Sequence, residues 1–350
     1  MEDQNLPHHT SQPQPPSMED QNHCTTSDQQ LQNLNLPKVL LHGPPGFSSV
    51  LQPPYSQKFH LLNQSSLPLH QFAATHPYHC ATVAAVLCDG GYPLTADMLS
   101  LLPSLRLVVT ASAGTDHVDL DECRRRGIQV AGAGNLFSED VADLAVALLI
   151  DVVMKISAAD RSLRKRHVDS RAITLASKVS GKRVGIVGLG RIGLEVAHRL
   201  EALECMVSYN SRKQKPFVPY PFYSTVLELA TNTNVLVLCC SLNDQTRHII
   251  NREVMLALGK GGVIINVGRG ALIDEKQLFN CLMEGEIGGA GLDVFENEPL
   301  VDEHFFSLDN VVLSPHAGFS TLDSYLAICQ LLGLNLEAFF SNNPLITPVI

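Results

Sequence analysis

Val184-Gly185-Ile186-Val187-Gly188-Leu189-Gly190-Arg191-Ile192-Gly193 opens as a short apolar run, turns on glycines and continues into a helical pattern from Leu194 to Leu203. Gly188, Gly190 and Gly193 fit G-x-G-x-x-G between a readable strand and a readable helix, the context that gives this pattern meaning. Gly188 permits a tight turn out of the strand. Gly190 lets a pyrophosphate approach the bare backbone, and Gly193 lets helix and sheet pack closely. The helix N-terminus then offers free N–H groups and the positive end of its dipole to phosphates. The stretch therefore reads as a dinucleotide site, with Leu189, Arg191 and Ile192 completing the turn.

With 350 residues the chain has room for two domains with their own cores. A net charge of −10 disfavours nucleic acid and anionic membrane surfaces as partners. No apolar run is long enough to read as a membrane span. Nine cysteines lie scattered without paired spacing, which fits reduced thiols and a cytoplasmic location. Cys239-Cys240 reads as two small buried residues. The first 36 residues are rich in Gln, Asn, Pro and Ser and lack Lys and Arg. Such a segment buries too little apolar surface to offset its ordering entropy, so it reads as a disordered tail, neither secretory signal nor transit peptide.

Order begins with a strand at 38–41, followed by the loop His42 to Phe47. Further strands are expected at 83–87, 105–110 and 129–131, with helices at 94–102 and 121–126. Arg124, Arg125 and Arg126 close the second helix, where cations suit the dipole. Ala111 to Asp116 follows a strand and is either an anion-binding turn or an ordinary βα turn. A long helix is expected from Ser138, a plausible N-cap, to about His167. Its broad apolar face (Val141, Leu144, Ala145, Leu148, Leu149, Val152) calls for burial between domains or subunits. Strands near 183–187, 206–209, 234–239, 262–267, 289–293 and 310–314 follow, alternating with helices, which implies parallel sheets. A last helix, about 321–340, carries Leu326, Cys329, Leu332, Leu336 and Phe339 at helical spacing and can return the chain to the first domain. The expected fold is α/β: two Rossmann-like domains with parallel sheets, the nucleotide-binding domain (137–315) inserted in a substrate domain made of 38–136 and 316–350.

The strand after the fingerprint ends in Tyr209-Asn210-Ser211-Arg212-Lys213. NAD-binding folds place an acid there for the ribose hydroxyls. Here Ser211 can hydrogen-bond, and Arg212 and Lys213 can pair with a 2′-phosphate at roughly 1.5–3 kcal/mol per charge-assisted bond. NADP(H) is therefore expected in preference to NAD(H).

Arg269, Glu298 and His316 follow three expected strands of the second half. Each alone is unremarkable. Together, at carboxyl ends of parallel strands, they form a coherent catalytic set. Hydride transfer to a ketone leaves negative charge on oxygen, which an imidazolium can protonate. A carboxylate beside the ring holds it and favours its charged form. A guanidinium can grip the planar carboxylate of a 2-oxo acid through two parallel bonds. No metal is called for; His70, His76, His79 and Cys80 are too loosely spaced to read as ligands.

The segments GLGRIG (188–193), NVGRGALIDE (266–275), GLDVFENEP (291–299) and LSPHAG (313–318), in this order, resemble the D-isomer-specific 2-hydroxyacid dehydrogenase family over about 38–350. Glu298 follows Arg269 by 29 positions and His316 follows Glu298 by 18, as in that family. Within it the chain looks most similar to plant glyoxylate/hydroxypyruvate reductases and hydroxyphenylpyruvate reductases. The resemblance implies that Arg269 binds substrate, Glu298 supports the histidine and His316 donates the proton. It also implies that Leu189 to Ile192 meet the pyrophosphate, that Val267 and Asp293 meet the nicotinamide end, with Asp293 accepting from its amide, and that Ala113-Gly114 offers N–H groups to the substrate carboxylate. It implies a homodimer with the 138–167 helix in the interface. Asp143 departs from the family pattern, where Glu is usual. The activity expected is NADPH-dependent reduction of glyoxylate or hydroxypyruvate. The alternatives are hydroxyphenylpyruvate reduction and a nucleotide-sensing corepressor-type binding protein, since fold alone never proves function.

Overall fold

The computed structural model describes residues 36–47, 55–64, 67–165 and 175–350. The N-terminal tail, apart from residue 36, and the far end of the expected 138–167 helix lie outside the described residues. The first unit runs β1 (Lys38–His42), β2 (His60–Asn63), α1 (Leu69–Thr75), α2 (Pro77–Thr82), β3 (Ala85–Cys88), α3 (Ala96–Ser100), β4 (Leu107–Thr110), α4 (Leu120–Arg126) and β5 (Gln129–Ala131). Two helices follow, α5 (Ser138–Met154) and α6 (Ile156–Arg164). The second unit runs β6 (Arg183–Val187), α7 (Arg191–Ala202), β7 (Met206–Asn210), β8 (Phe222–Tyr223), α8 (Val226–Thr231), β9 (Val235–Leu238), α9 (Arg252–Leu258), β10 (Val263–Asn266), α10 (Glu275–Met283), β11 (Gly289–Leu292) and β12 (Val311–Leu313). Helix α11 (Leu322–Phe340) closes the chain.

Every ladder between these strands is parallel. The first sheet has the order β2-β1-β3-β4-β5, the second β12-β11-β10-β9-β6-β7-β8. Each order reverses once, between β1 and β3 and between β6 and β9. Open parallel sheets bind ligands at such switch points, beyond the carboxyl ends of the strands. Their strands are buried on both faces, which explains runs such as VLVL (β9) and VIIN (β10) without alternation.

Helix α5 lies on the second sheet through Ala145, Leu148, Leu149 and Val152, and its Val141 also packs against the core of the first unit. Glycines in β11 let it come close: a Cβ on Gly291 would sit 3.0 Å from Leu148 Cβ. Helix α11 packs Ile328, Leu332 and Leu336 into the core of the first unit. Ser324 Oγ of α11 donates to the Asp140 carboxylate of α5.

Four local expectations change. The long helix breaks at Lys155, whose φ is 59°, and restarts as α6, with Asp151 accepting from the Ser157 N–H (2.7 Å). Ser138 is not the N-cap; Phe137 holds that position with no side-chain hydrogen bond. On α11, Leu326 faces solvent at 58% exposure, and Ile328 is buried in its stead. Strands β2 and β8 were not expected, being short and set among polar or proline-rich neighbours. The arginine triplet on α4 is a helix end: Arg124 pairs with Asp121 and Arg125 with Glu122, while Arg126 donates to the carbonyls of Leu99 and Leu102.

The C-terminal segment lies antiparallel on edge strand β5, with the Val349 N–H on the Val130 carbonyl (2.8 Å), which covers an otherwise open edge. Asn335 anchors it. Fully buried, its Oδ1 accepts from the N–H groups of Ile346 (3.0 Å) and Thr347 (3.3 Å). Asn335→Ala strands both donors and is expected to lower the unfolding free energy by roughly 2–4 kcal/mol. Equal denaturant midpoints for the variant and the unchanged chain would refute that anchor.

Candidate active site

The glycine turn sits at the switch point of the second sheet. Gly188 has φ 98°, and a Cβ there would lie 2.6 Å from the Cys240 backbone nitrogen at the end of β9. A Cβ on Gly193 would lie 2.3 Å from the Gly188 carbonyl. Gly190 differs: nothing lies within 4 Å of its Cβ position, so its exposed face opens to a ligand. Leu189 turns its side chain into the core and leaves only its backbone to the turn, whereas Arg191 is exposed. Ser211, Arg212 and Lys213 follow β7, the strand paired with β6; Arg212 and Lys213 are exposed and form no ion pair among the described residues. These features fit a dinucleotide.

A cavity of about 720 Å³ opens between the two units. Ala113, Gly114, Ile192, Val267 and Arg269 line it, so the structure brings these expected residues together. Cys239 and Cys240 line it too, half-buried and part of a site wall, which corrects the reading of them as plain core. Burial pushes the Cys240 thiol up to about 11, so it stays protonated at neutral pH. Glu298 and His316 lie outside this lining. The Arg269 charge is among the influences on the Glu298 carboxyl.

His316 Nδ1 is 2.7 Å from Glu298 Oε2, while Glu298 Oε1 accepts from the Phe295 N–H (2.8 Å). Both carboxylate oxygens are thus engaged, and the pair leaves the imidazole's Nε2 outside its own contact. Burial alone would raise the Glu298 carboxyl. The hydrogen bonds from His316 and Phe295 and the charges of His316 and Arg269 outweigh it and hold the group below its ordinary 4.5. The stabilisation from this pairing is complete above that ordinary value and is lost as pH falls through the depressed one.

His316 itself has φ 54°, a left-handed conformation that costs a non-glycine residue roughly 1–3 kcal/mol. Asp293, only 2% exposed, holds it there. Its carbonyl accepts from the His316 N–H (2.7 Å). Its carboxylate accepts from Ser314 Oγ (2.6 Å) and the N–H groups of Ala317 (2.8 Å) and Gly318 (3.2 Å). Asp293 therefore has a role the sequence did not disclose: it organises the loop that carries the imidazole. Ser314 and Asp116 were also missed. Asp116 pairs with Arg269 at 3.0 Å across the cavity, a contact between residues 153 positions apart that no local pattern announces. Asp143, the departure from the family pattern, pairs with Arg199 on α7, away from this chemistry. Among the described residues no group of three or more His, Cys, Asp or Glu side chains is arranged to hold a metal ion.

A glycine-rich dinucleotide turn, a carboxylate–imidazole pair and a guanidinium at strand ends are the parts of a nicotinamide-dependent oxidoreductase. Residues 146–318 match the family model "D-isomer specific 2-hydroxyacid dehydrogenase, NAD binding domain". A glyoxylate/hydroxypyruvate reductase of Arabidopsis thaliana is 53% identical over 314 residues, 89% of this chain and 97% of that one. A hydroxyphenylpyruvate reductase of Plectranthus scutellarioides is 46% identical over 77% of this chain and 86% of that one. Among solved structures, an NADPH-dependent glyoxylate/hydroxypyruvate reductase of Sinorhizobium meliloti, in complex with NADP and malonate, has a TM-score of 0.82 at 32% identity, covering 89% of this chain and 96% of that one. The chain belongs to the D-isomer-specific 2-hydroxyacid dehydrogenase family.

Glu298→Gln keeps an oxygen for the imidazole and removes the charge. The kcat for ketone reduction is expected to fall roughly tenfold or more, because the ring loses the charge that favours its proton-donating form. An unchanged kcat in the variant would rule out this role for Glu298.

Proposed function

We propose that the chain reduces glyoxylate or hydroxypyruvate to the 2-hydroxy acid with NADPH. The observation that carries this reading is the Glu298–His316 pair, whose carboxylate feels the Arg269 charge, with Arg269 lining the same cavity as Ile192 of the glycine turn. The nucleotide would lie along Gly188 to Gly193, with Val267 and Asp293 toward its nicotinamide end and Ser211, Arg212 and Lys213 on its 2′-phosphate. When bound, NADPH supplies the hydride. Arg269 grips the substrate carboxylate, and the backbone at Ala113-Gly114 shares it. His316, charged and held by Glu298 through Nδ1, donates its Nε2 proton to the carbonyl oxygen as negative charge develops there. In the reverse direction neutral His316 accepts the hydroxyl proton. Reduction therefore consumes one proton through this ring, and oxidation releases one.

In this reading residues 137–315 form the cofactor-binding lobe, inserted in a substrate lobe of 38–136 and 316–350. The active unit is a homodimer. Helix α6 buries none of its residues, and Met154, Ile156 and Leu163 stand exposed along it and the end of α5, an apolar stripe that a second copy can cover. Among the described residues no helix is long and apolar enough to cross a membrane. The proposed compartment is the cytosol, where the free thiols would stay reduced.

One feature favours a ring-bearing substrate as a second reading. Phe319, 45% exposed, stands edge-on to His316 with ring centroids 6.0 Å apart, ready to pack against an aromatic 2-oxo acid. Loss of NADPH absorbance with glyoxylate, hydroxypyruvate and 4-hydroxyphenylpyruvate separates the readings. The larger kcat/KM is expected for the small acids. A reversed order selects the aromatic substrate, and no turnover with any of the three overturns both. His316→Gln is expected to lose at least 100-fold in kcat for reduction, and full activity of that variant would exclude His316 as the proton donor. Arg212→Asp is expected to cut the NADPH-over-NADH preference by at least tenfold, the order of one lost charge-assisted bond. An unchanged preference would show that this cation does not read the 2′-phosphate.

A further inference from the structure

Arg269 is held from two sides before any substrate arrives. Its Nε and Nη2 donate to Asp116 Oδ2 (3.2 Å) and Oδ1 (3.0 Å), and its Nη1 donates to the Gly268 carbonyl (2.8 Å). A guanidinium has five N–H donors in a rigid fork. These three bonds leave one donor on Nη1 and one on Nη2. The remaining fork is the one that can take a substrate carboxylate through two parallel bonds. The pair also lies directly on the Gly114 backbone: a Cβ there would be 1.9 Å from Arg269 Nη2 and 2.8 Å from Asp116 Oδ1. Gly114 and Asp116 come from the first unit and Arg269 from the second, so the contact spans the cleft.

Building on the 2-oxo acid reading above, we propose that Asp116 is a positioning residue for substrate binding. It clamps the side edge of the Arg269 guanidinium against Gly114 and so presents the end fork to the substrate carboxylate. Without it the long side chain loses its fixed azimuth and must be ordered by the substrate itself. The Asp116 carboxylate stays ionised in this position. Burial would raise it, but hydrogen bonding to Arg269 and the guanidinium's charge outweigh burial and hold it below its ordinary value.

Asp116→Ala and Asp116→Asn test this with steady-state kinetics, NADPH titration and thermal melts. Asp116→Ala is expected to raise KM for glyoxylate or hydroxypyruvate about tenfold or more with a much smaller change in kcat. The NADPH Kd and Tm should stay unchanged. Asp116→Asn, which keeps one acceptor for Nη2, should recover part of the loss. An unchanged KM overturns the proposal. So does a lowered KM, which would make Asp116 a competitor for the guanidinium. Parallel losses in Tm and NADPH affinity would reduce it to a structural contact. The Arg269 Nε–H resonance, assigned by its disappearance in Arg269→Lys, reads the clamp without turnover. It should be protected from exchange in the unmodified protein and exposed in Asp116→Ala. Identical signals would sink the clamp even if the enzyme proves active. A protected signal in a protein that reduces no 2-oxo acid would leave the clamp standing, remove its proposed role in substrate binding, and overturn the functional reading.

Discussion

The buried Asp293 carboxylate is the constraint on which the geometry around His316 rests. A desolvated charge is costly unless its oxygens are satisfied. Here Ser314, Ala317 and Gly318 satisfy them, and all three belong to the loop that carries His316. The same hydrogen bonds that make the burial tolerable fix the path of the loop. They also help offset the cost of the left-handed backbone at His316. The imidazole is thereby aimed before Glu298 orients its ring. Strand β11 supplies Asp293, the segment after it supplies Glu298, and the segment after β12 supplies His316. Because β11 and β12 are parallel neighbours, residues 23 positions apart from Asp293 to His316 emerge at the same sheet end.

Topology does the rest of the gathering. Both sheets reverse strand order once, and the glycine turn of β6 abuts the end of β9 so closely that no side chain fits at Gly188. That contact narrows the wall beneath the nucleotide site and leaves Gly190 facing open space. Helices α5 and α11 join the units, α5 touching both cores and α11 returning to the first. The cavity therefore has one wall from each unit, and a cation and an anion meet across it.

The legible parts of this molecule are those governed by local chemistry. Continuous apolar runs marked the buried strands, glycine spacing marked the turn, and Ser211-Arg212-Lys213 stood out because an acid was missing there. Glu298 and His316 could be singled out by residue type and strand-end position, and the structure joins them at 2.7 Å. What stayed hidden depends on distance or on subtle backbone choices. The break at Lys155 has neither glycine nor proline to announce it; Asp151 stabilises it by accepting from Ser157. Ser138 looked like an N-cap by type, yet the chain enters the helix one residue earlier through Phe137. Asp293 was noticed as a carboxylate, but its partners lie on a neighbouring strand's loop. Asp116 sat in a turn that small residues made look generic.

A protein of net charge −10 that is to handle a polyanionic nucleotide and an anionic acid must concentrate its cations. Many of its other arginines are committed elsewhere: Arg124, Arg125 and Arg164 to acids on their own helices, Arg199 to Asp143 and Glu195, Arg252 to Glu284 and Glu286. Arg212 and Lys213 carry no such partner among the described residues and stand exposed at the end of β7. Arg269 does have one, and the reason it can still serve an anion is geometric. A carboxylate on one edge of a guanidinium consumes donors but not the whole charge, and it removes the rotational freedom that makes a long cation a poor receptor. The acid that looks like a competitor at first sight is thus compatible with binding a second acid, provided the two approach different edges. An ammonium group at position 269 offers no such pair of edges, so the side chain there must be arginine for both contacts to coexist.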